Sequence, residues 1–383
     1  MTRKEKLLPA AKRAVGLALA SIVLAGCRPE QPSGGPVEWK FALEEISGSV
    51  QDAYAQEFRR RVEKRSGGTI RVTVYPYGAL GTSDQLTELV GNGAIQFAMA
   101  SPGHLGKVIP ETQLFLLHFV FSEEDGVNQA VLRRSGRLHA ELAPFYRRKG
   151  FELLSIYPEG WQVWTTRKPV REPADFAGMK IRVMTSPLLL EAYRAYGASP
   201  TPLPYAEVYS ALQLRMIDGQ VNPVFAIEEM RFYEVTDYLI FARHAQFVTT
   251  AITSARFFDG LPPERRRWVE ETIGELEDYV FDVQNRLNDE RLRSIRAKKP
   301  EIRTVELSEE ERSRFREASL SVREEYVERV GESGKGLLDT LLREVRAAEA
   351  RPAPTAFRRP LLVENAPSAS AMPHPRAQSS TSG

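Results

Sequence analysis

The sequence predicts an α/β protein with room for two domains, exported behind a leader. Three observations carry this. Strand-like and helix-like runs alternate along the body, which is the pattern of an α/β fold. The chain has 383 residues, enough for two domains of ordinary size. Its first 26 residues have the charge and hydropathy of an export signal and not of a folded element.

The leader comes first. Arg3, Lys4, Lys6, Lys12 and Arg13 precede an apolar stretch over residues 14–23, which is too short to span a bilayer. It ends in Leu24-Ala25-Gly26-Cys27, which resembles a bacterial lipobox. That resemblance implies cleavage before Cys27 and acylation of the new terminus. Several acyl chains, at roughly 0.8 kcal/mol per buried CH₂, hold a protein on a membrane. The competing reading is a plain signal peptide followed by an incidental cysteine. Cys27 is the only cysteine in the chain, and it stands where a lipobox needs it. Residues 27–37 then read as a lipid-anchored tether, polar and rich in Pro and Gly.

Composition excludes several functions. Residues 1–26 hold five basic residues and one acidic, so the remainder has 47 basic and 49 acidic residues. A near-neutral body without a basic stripe is not a nucleic-acid binder. A lone cysteine allows no internal disulfide and no cysteine-based zinc site. No two of the five histidines are spaced i,i+4, so the sequence predicts no resident metal and no cofactor.

Along the body, residues 38–43 read as a strand and 52–64 as an amphipathic helix stopped by Gly67-Gly68. Residues 69–75 alternate with β-branched side chains and read as a second strand. Residues 83–90 start a helix, and 95–100 form a short apolar strand. Further strands are expected at 151–157 and 179–184, and helices at 186–196 and 207–214. A long charged amphipathic helix opens at Pro262 or Pro263 and reaches about residue 297; a second covers 309–330. From residue 351 the composition turns to Pro, Ala and Ser, the pattern of a disordered tail.

Function is concentrated between residues 180 and 223. Arg182 interrupts an apolar strand. A guanidinium cannot shed its charge, and its planar fork matches a carboxylate. Each charged hydrogen bond to a bound anion contributes roughly 1.5–3 kcal/mol. A structural partner or a solvent-facing position would explain Arg182 equally well on this argument alone. The following segment, Ala198-Ser199-Pro200-Thr201-Pro202-Leu203-Pro204, is stiffened by its prolines and delivers Tyr205 to the start of a helix. Residues 217–223 place Gln220 and Asn222 on a turn. An arginine, an aromatic and an amide together suit a carboxylate on an apolar body.

These segments are familiar as a set. Gly178-Met179-Lys180-Ile181-Arg182-Val183, Gly197-Ala198-Ser199-Pro200-Thr201-Pro202, Glu207-Val208-Tyr209 and Asp218-Gly219-Gln220-Val221-Asn222-Pro223 closely resemble the DctP-type solute-binding proteins of TRAP transporters. So do Gly67-Gly68-Thr69-Ile70-Arg71-Val72, Tyr75-Pro76-Tyr77-Gly78-Ala79-Leu80-Gly81, Ser101-Pro102 and Phe232-Tyr233-Glu234-Val235. The resemblance runs over residues 38–345. It implies a two-lobe periplasmic-binding-protein-like fold with a ligand cleft between the lobes and long connecting helices. Lobe I is expected from residues 38–158 and 248–287, lobe II from 159–247 and 288–350, and the tail from 351–383.

The resemblance also assigns roles. Arg182 matches the carboxylate-binding arginine, Tyr205 an aromatic that packs on the ligand, and Asn222 a polar contact near the carboxylate. Gln162 stands where relatives often carry a second arginine, which points to a monocarboxylate such as a keto, hydroxy or sugar acid. In some relatives a glutamine near this position helps hold a cation against the ligand. Glu44 and Glu45 end the first strand; each reads either as a ligand contact or as a solvated loop carboxylate. Ser101 and His104 follow a strand and face either the cleft or the structure. Trp161 suits either stacking on the ligand or packing between lobes, and Trp164 reads as core. The implied protein is a periplasmic receptor, monomeric, held to the membrane only through Cys27. It would capture a small organic acid for small and large membrane subunits of the transporter. A receptor presenting ligand to a membrane sensor kinase is an alternative from the same cleft. An enzyme acting on a carboxylate is a weaker one, because no nucleophile elbow, His-Glu-x-x-His pair or complete phosphate loop is present.

Overall fold

The computed structural model describes residues 35–350. Cys27, most of the tether and the tail from 351 lie outside the described residues. Among the described residues eleven strands form two sheets. The first holds β1 (Val37–Ala42), β2 (Ile70–Tyr75), β3 (Phe97–Ala100), β4 (Phe151–Trp161) and β10 (Gln246–Ser254) in the order β2-β1-β3-β10-β4. The second holds β5 (Val163–Thr166), β6 (Lys180–Val183), β7 (Ser199–Pro202), β8 (Gly219–Asn222), β9 (Tyr238–Phe241) and β11 (Arg303–Glu306) in the order β11-β9-β5-β8-β6-β7. Each sheet mixes parallel and antiparallel pairs and is packed with helices, so the chain is α/β with two lobes.

The chain crosses between lobes where β4 passes into β5 and where β9 passes into β10. These crossings run side by side. Gln246 pairs with Trp161, and the Gln162 N–H donates to the Ala245 carbonyl at 2.9 Å. A third connection is the helix Pro263–Lys298, 36 residues long and about 54 Å end to end. Near its start, Thr272 and Glu275 bond Arg65 and Glu275 also pairs with Arg61, both on the first-lobe helix Val50–Arg65. In its middle, Asn288 donates to the Glu159 carbonyl and accepts from Phe225 N–H of lobe II. Near its end, Lys298 and Ser294 bond Glu228. The helix is therefore a brace across both lobes. Among the described residues no helix is long and apolar enough to cross a membrane.

The first-lobe helix Val50–Arg65 begins where the Ser49 hydroxyl accepts from Asp52 N–H and ends at Gly67 and Gly68, both at positive φ. It buries Tyr54 and Phe58 against Phe41 and Phe97 of the sheet. These rings meet edge-on or tilted at centroid distances of 5.0–6.3 Å, the range in which aromatic pairs add to burial.

Three expectations are corrected. Residues 217–223 are not a turn: Gly219–Asn222 is a strand, so Gln220 and Asn222 point to the same face. The helix expected over 309–330 is two helices, Glu309–Ala318 and Leu320–Val330, broken at Ser319, whose hydroxyl donates back to the Arg316 carbonyl. Residues 288–350 do not all join lobe II. Phe315 packs on Trp164 of lobe II, but Tyr326 donates to the Glu111 carbonyl and Thr340 to Glu141, both in lobe I. An amphipathic helix marks which of its faces is buried and leaves open which neighbour buries it.

Candidate ligand-binding cleft

Arg182 sits on β6, 2% exposed, although Lys180 two residues earlier faces solvent. Its Nε and Nη2 donate to the Leu203 carbonyl at 3.0 and 2.8 Å. Leu203 belongs to the proline-stiffened segment, so the same stretch that holds Arg182 also delivers Tyr205. The guanidinium carbon lies 6.0 Å from the Tyr205 ring centroid. A guanidinium has five N–H groups, and two are used on Leu203. No carboxylate of the described residues pairs with it. Burial lowers its pKa to about 10, so it stays cationic at neutral pH.

Asn222 is placed beside it by β8, which pairs with β6. Its amide nitrogen donates to the Gln220 side chain, which in turn donates to Thr165 at 2.9 Å. Gln220 thus orients Asn222 and does not itself line the cleft.

Lobe I supplies the opposite wall. Glu44 accepts from the Ser101 N–H at 2.8 Å through Oε2, and its Oε1 is buried without a protein partner. Burial raises its pKa, while His104 and Ser101 oppose the rise. Gln51 ties the acids together: it accepts from Glu44 N–H, its own N–H donates to Glu45, and its side chain donates to Glu159 at 3.1 Å. Burial, then the facing Glu159, pushes Glu45 well above the carboxylate range. Burial above all, with the charges of Glu44 and Glu229 adding to it, moves Glu159 to about 8. Glu229, reaching over from lobe II, is pushed to about 9 by burial and then by Glu45.

Arg182, Asn222 and Tyr205 of lobe II and Glu44, Glu45 and Gln51 of lobe I line one small cavity between the lobes. Of the residues expected from the sequence, Arg182, Asn222, Tyr205, Glu44, Glu45, Ser101 and His104 all line it. Gln162 and Trp161 do not. Trp161 donates its indole N–H to Asp125 at 2.9 Å and so braces the crossing strand. Gln162 faces an adjoining cavity. Trp164 is fully buried, as expected of core. The sequence reading missed Gln51, Met184 and Phe247 as lining residues, and Glu159 and Glu229 as charged neighbours. A buried polar residue on a helix face, as Gln51 is, carries the only signal that reading could have used. Among the described residues no cluster of three or more His, Cys, Asp or Glu side chains could hold a metal ion.

The lobes touch across the cleft mouth. Tyr77 of lobe I meets Tyr205 of lobe II edge-on at 5.8 Å. Lys107 donates to Thr185 at 3.1 Å while paired with Asp84. Gly103 lies so near Met184 that a Cβ there would fall 2.4 Å from the Met184 methyl and 3.2 Å from its Cβ. The methyl can swing aside, but a branched side chain would also press on the Met184 stem. Gly103→Val is therefore expected to weaken ligand binding about tenfold or more, because closure contributes only through contacts made in the closed form. Small-angle scattering with saturating ligand checks this: the wild type contracts and the variant does not.

Two lobes hinged on paired crossings, with a charged cleft between them and contacts over its mouth, define a solute-binding protein that closes on its ligand. The family of bacterial extracellular solute-binding proteins, family 7 (DctP), matches residues 41–329, and this chain belongs to it. Members of this type serve TRAP transporters in the periplasm. The chain is 38% identical to the ectoine-binding periplasmic protein TeaA of Halomonas elongata, over 81% of this chain and 91% of that one. It is 36% identical to the ectoine/5-hydroxyectoine-binding periplasmic protein UehA of Ruegeria pomeroyi, over 86% and 96%. Among solved structures, a TRAP periplasmic solute-binding protein from Marinobacter aquaeolei VT8 in an apo open form is 48% identical, with TM-score 0.76, over 80% of this chain and all of that one.

Proposed function

We propose that this protein captures a small zwitterion with one carboxylate and one delocalised cation, of which ectoine is the model, and delivers it to TRAP membrane subunits. The observation that carries the reading is the pair of opposed, unpaired charges in one cavity. Arg182 of lobe II has N–H groups and no protein carboxylate; Glu44 of lobe I accepts from Ser101 through Oε2 and keeps Oε1 buried without a protein donor. A ligand carboxylate satisfies the first and an amidinium the second, and a ligand holding both bridges the lobes. Phe247 and Tyr205 supply apolar walls for a ring between them. Two relatives whose names specify ectoine support this choice. The Leu24-Ala25-Gly26-Cys27 sequence supports a lipid tether for the receptor.

Titration calorimetry with ectoine, succinate and glucuronate tests the reading. Ectoine is expected to bind tightest, and Glu44→Gln to weaken it by about tenfold to a hundredfold, the value of one or two charged hydrogen bonds. Tighter binding of succinate or glucuronate, or no loss in Glu44→Gln, would rule out the zwitterion.

A further inference from the structure

Behind Asn222 lies a second cavity, with room for a group of about the size of a water molecule, that shares Met184, Asn222 and Phe247 with the ligand cleft. It sits at the hinge, because Gln162, Ala245 and Gln246 come from the two crossing segments. Its walls are mostly apolar, with Phe115, Leu189 and Val248 among them. Its polar groups are few and unusual. His244 is 1% exposed, and neither ring nitrogen has a protein partner. The Gln162 side-chain oxygen is also buried without one. Tyr193 OH, on the same wall, accepts from Trp164 and keeps its own proton to donate.

His244 is held rigidly for a side chain with no hydrogen bonds. Its ring lies on Trp164 at 4.4 Å and meets His118 edge-on at 4.7 Å. His118 in turn bonds Tyr196 OH at 2.6 Å. Both imidazoles are neutral at ordinary pH, since burial depresses each; His118 falls to about 3. A neutral imidazole offers one donor and one acceptor, and an amide oxygen a further acceptor. That set fits an uncharged group that both gives and accepts a hydrogen bond. None of these groups carries a charge, so they give a charged group no ion-pair partner.

We propose that this hinge cavity is a second compartment of the ligand site, which takes a hydroxyl group carried by the ligand and holds it between His244 and Gln162. The proposal rests on the cleft being the ligand site and deepens the reading above. It makes His244 and Gln162 specificity-determining residues for hydroxylated ligands. It also gives Gln162 the ligand contact that the main cavity denies it.

The test uses matched pairs that differ by one hydroxyl: ectoine with 5-hydroxyectoine, and propanoate with lactate. The hydroxylated member of whichever pair binds is expected to bind about tenfold tighter in the wild type. His244→Phe, which keeps the ring and loses both nitrogens, should bring that ratio close to one. Gln162→Met, which keeps the length and loses the oxygen, should reduce it and serves if the histidine variant folds poorly. A ratio of one in the wild type, or a ratio that survives both substitutions, would overturn the proposal. Binding of the acid pair without the ectoine pair would remove the zwitterion reading while the hydroxyl ratio still decides this one. Failure of both pairs to bind would remove both.

Discussion

Arg182→Ala is expected to reduce ligand affinity by about 10²–10⁴-fold while moving the melting temperature of the ligand-free protein by only a few degrees. The affinity loss follows from two charge-assisted hydrogen bonds at about 1.5–3 kcal/mol each. The small effect on the free protein follows from opposed changes. The substitution removes a buried cation that lacks a carboxylate partner, and keeping such a charge out of water is costly. It also takes both donors from the Leu203 carbonyl, and an unsatisfied buried acceptor costs about 1–3 kcal/mol. Calorimetric titration and a thermal melt without ligand check the two halves separately. A large fall in the ligand-free melt with binding retained would make Arg182 a structural residue, and the cleft would lose its anion site.

The second large effect concerns pH. Glu45, Glu159 and Glu229 hold their protons more tightly in the folded chain than in the unfolded one. The folded state therefore binds more protons than the unfolded state above the ordinary carboxylate pKa. Their stabilising contribution is complete below that value and is lost as pH climbs through about 8 for Glu159 and about 9 for Glu229. Arg291 faces Glu229 and opposes its rise, but burial and the Glu45 charge outweigh it; Gln51 and Asn288 are neutral and Glu44 is acidic. Buried histidines act in the other direction. His118 and His139, lowered to about 3 and about 4, and His244 stabilise the fold above the ordinary histidine pKa and are lost as pH falls. Thermal stability should therefore be highest at about pH 6 and fall by roughly 5–10 °C by about pH 9.5. Glu159→Gln keeps the shape of a protonated glutamate and cannot ionise, so it should flatten the alkaline limb. A melt series across pH on both proteins decides this, and an alkaline limb unchanged in the variant would place the titration elsewhere.

The two predictions depend on residues of very different visibility in sequence. Arg182 stands out because a charge inside an apolar strand is locally anomalous, and the prolines after it fix the chain whatever surrounds them. Asn222 and Tyr205 belong to the same short stretch, and Glu44, Ser101 and His104 each follow a recognisable strand end. Local pattern also set the α/β class, the braced helix Pro263–Lys298 and the stop at Gly67-Gly68. Those features depend on backbone preferences and on periodic burial, and both are properties of consecutive residues.

What only the tertiary structure decided is which distant residues meet. Glu45 and Glu159 are separated by 114 positions and are ordinary glutamates in sequence; they face each other because Gln51, in the first turn of the helix after β1, bonds both. Trp161 turned away from the cleft because Asp125 was there to accept its N–H. The final helices divided between lobes because an apolar helix face is satisfied by any matching surface. His244 carries no motif at all, and its unpartnered nitrogens become visible only when Trp164 and His118 enclose it. Charge, turn and period are written along the chain, whereas desolvation and pairing belong to the neighbours that folding brings together, and in this protein those neighbours set the chemistry of the cleft.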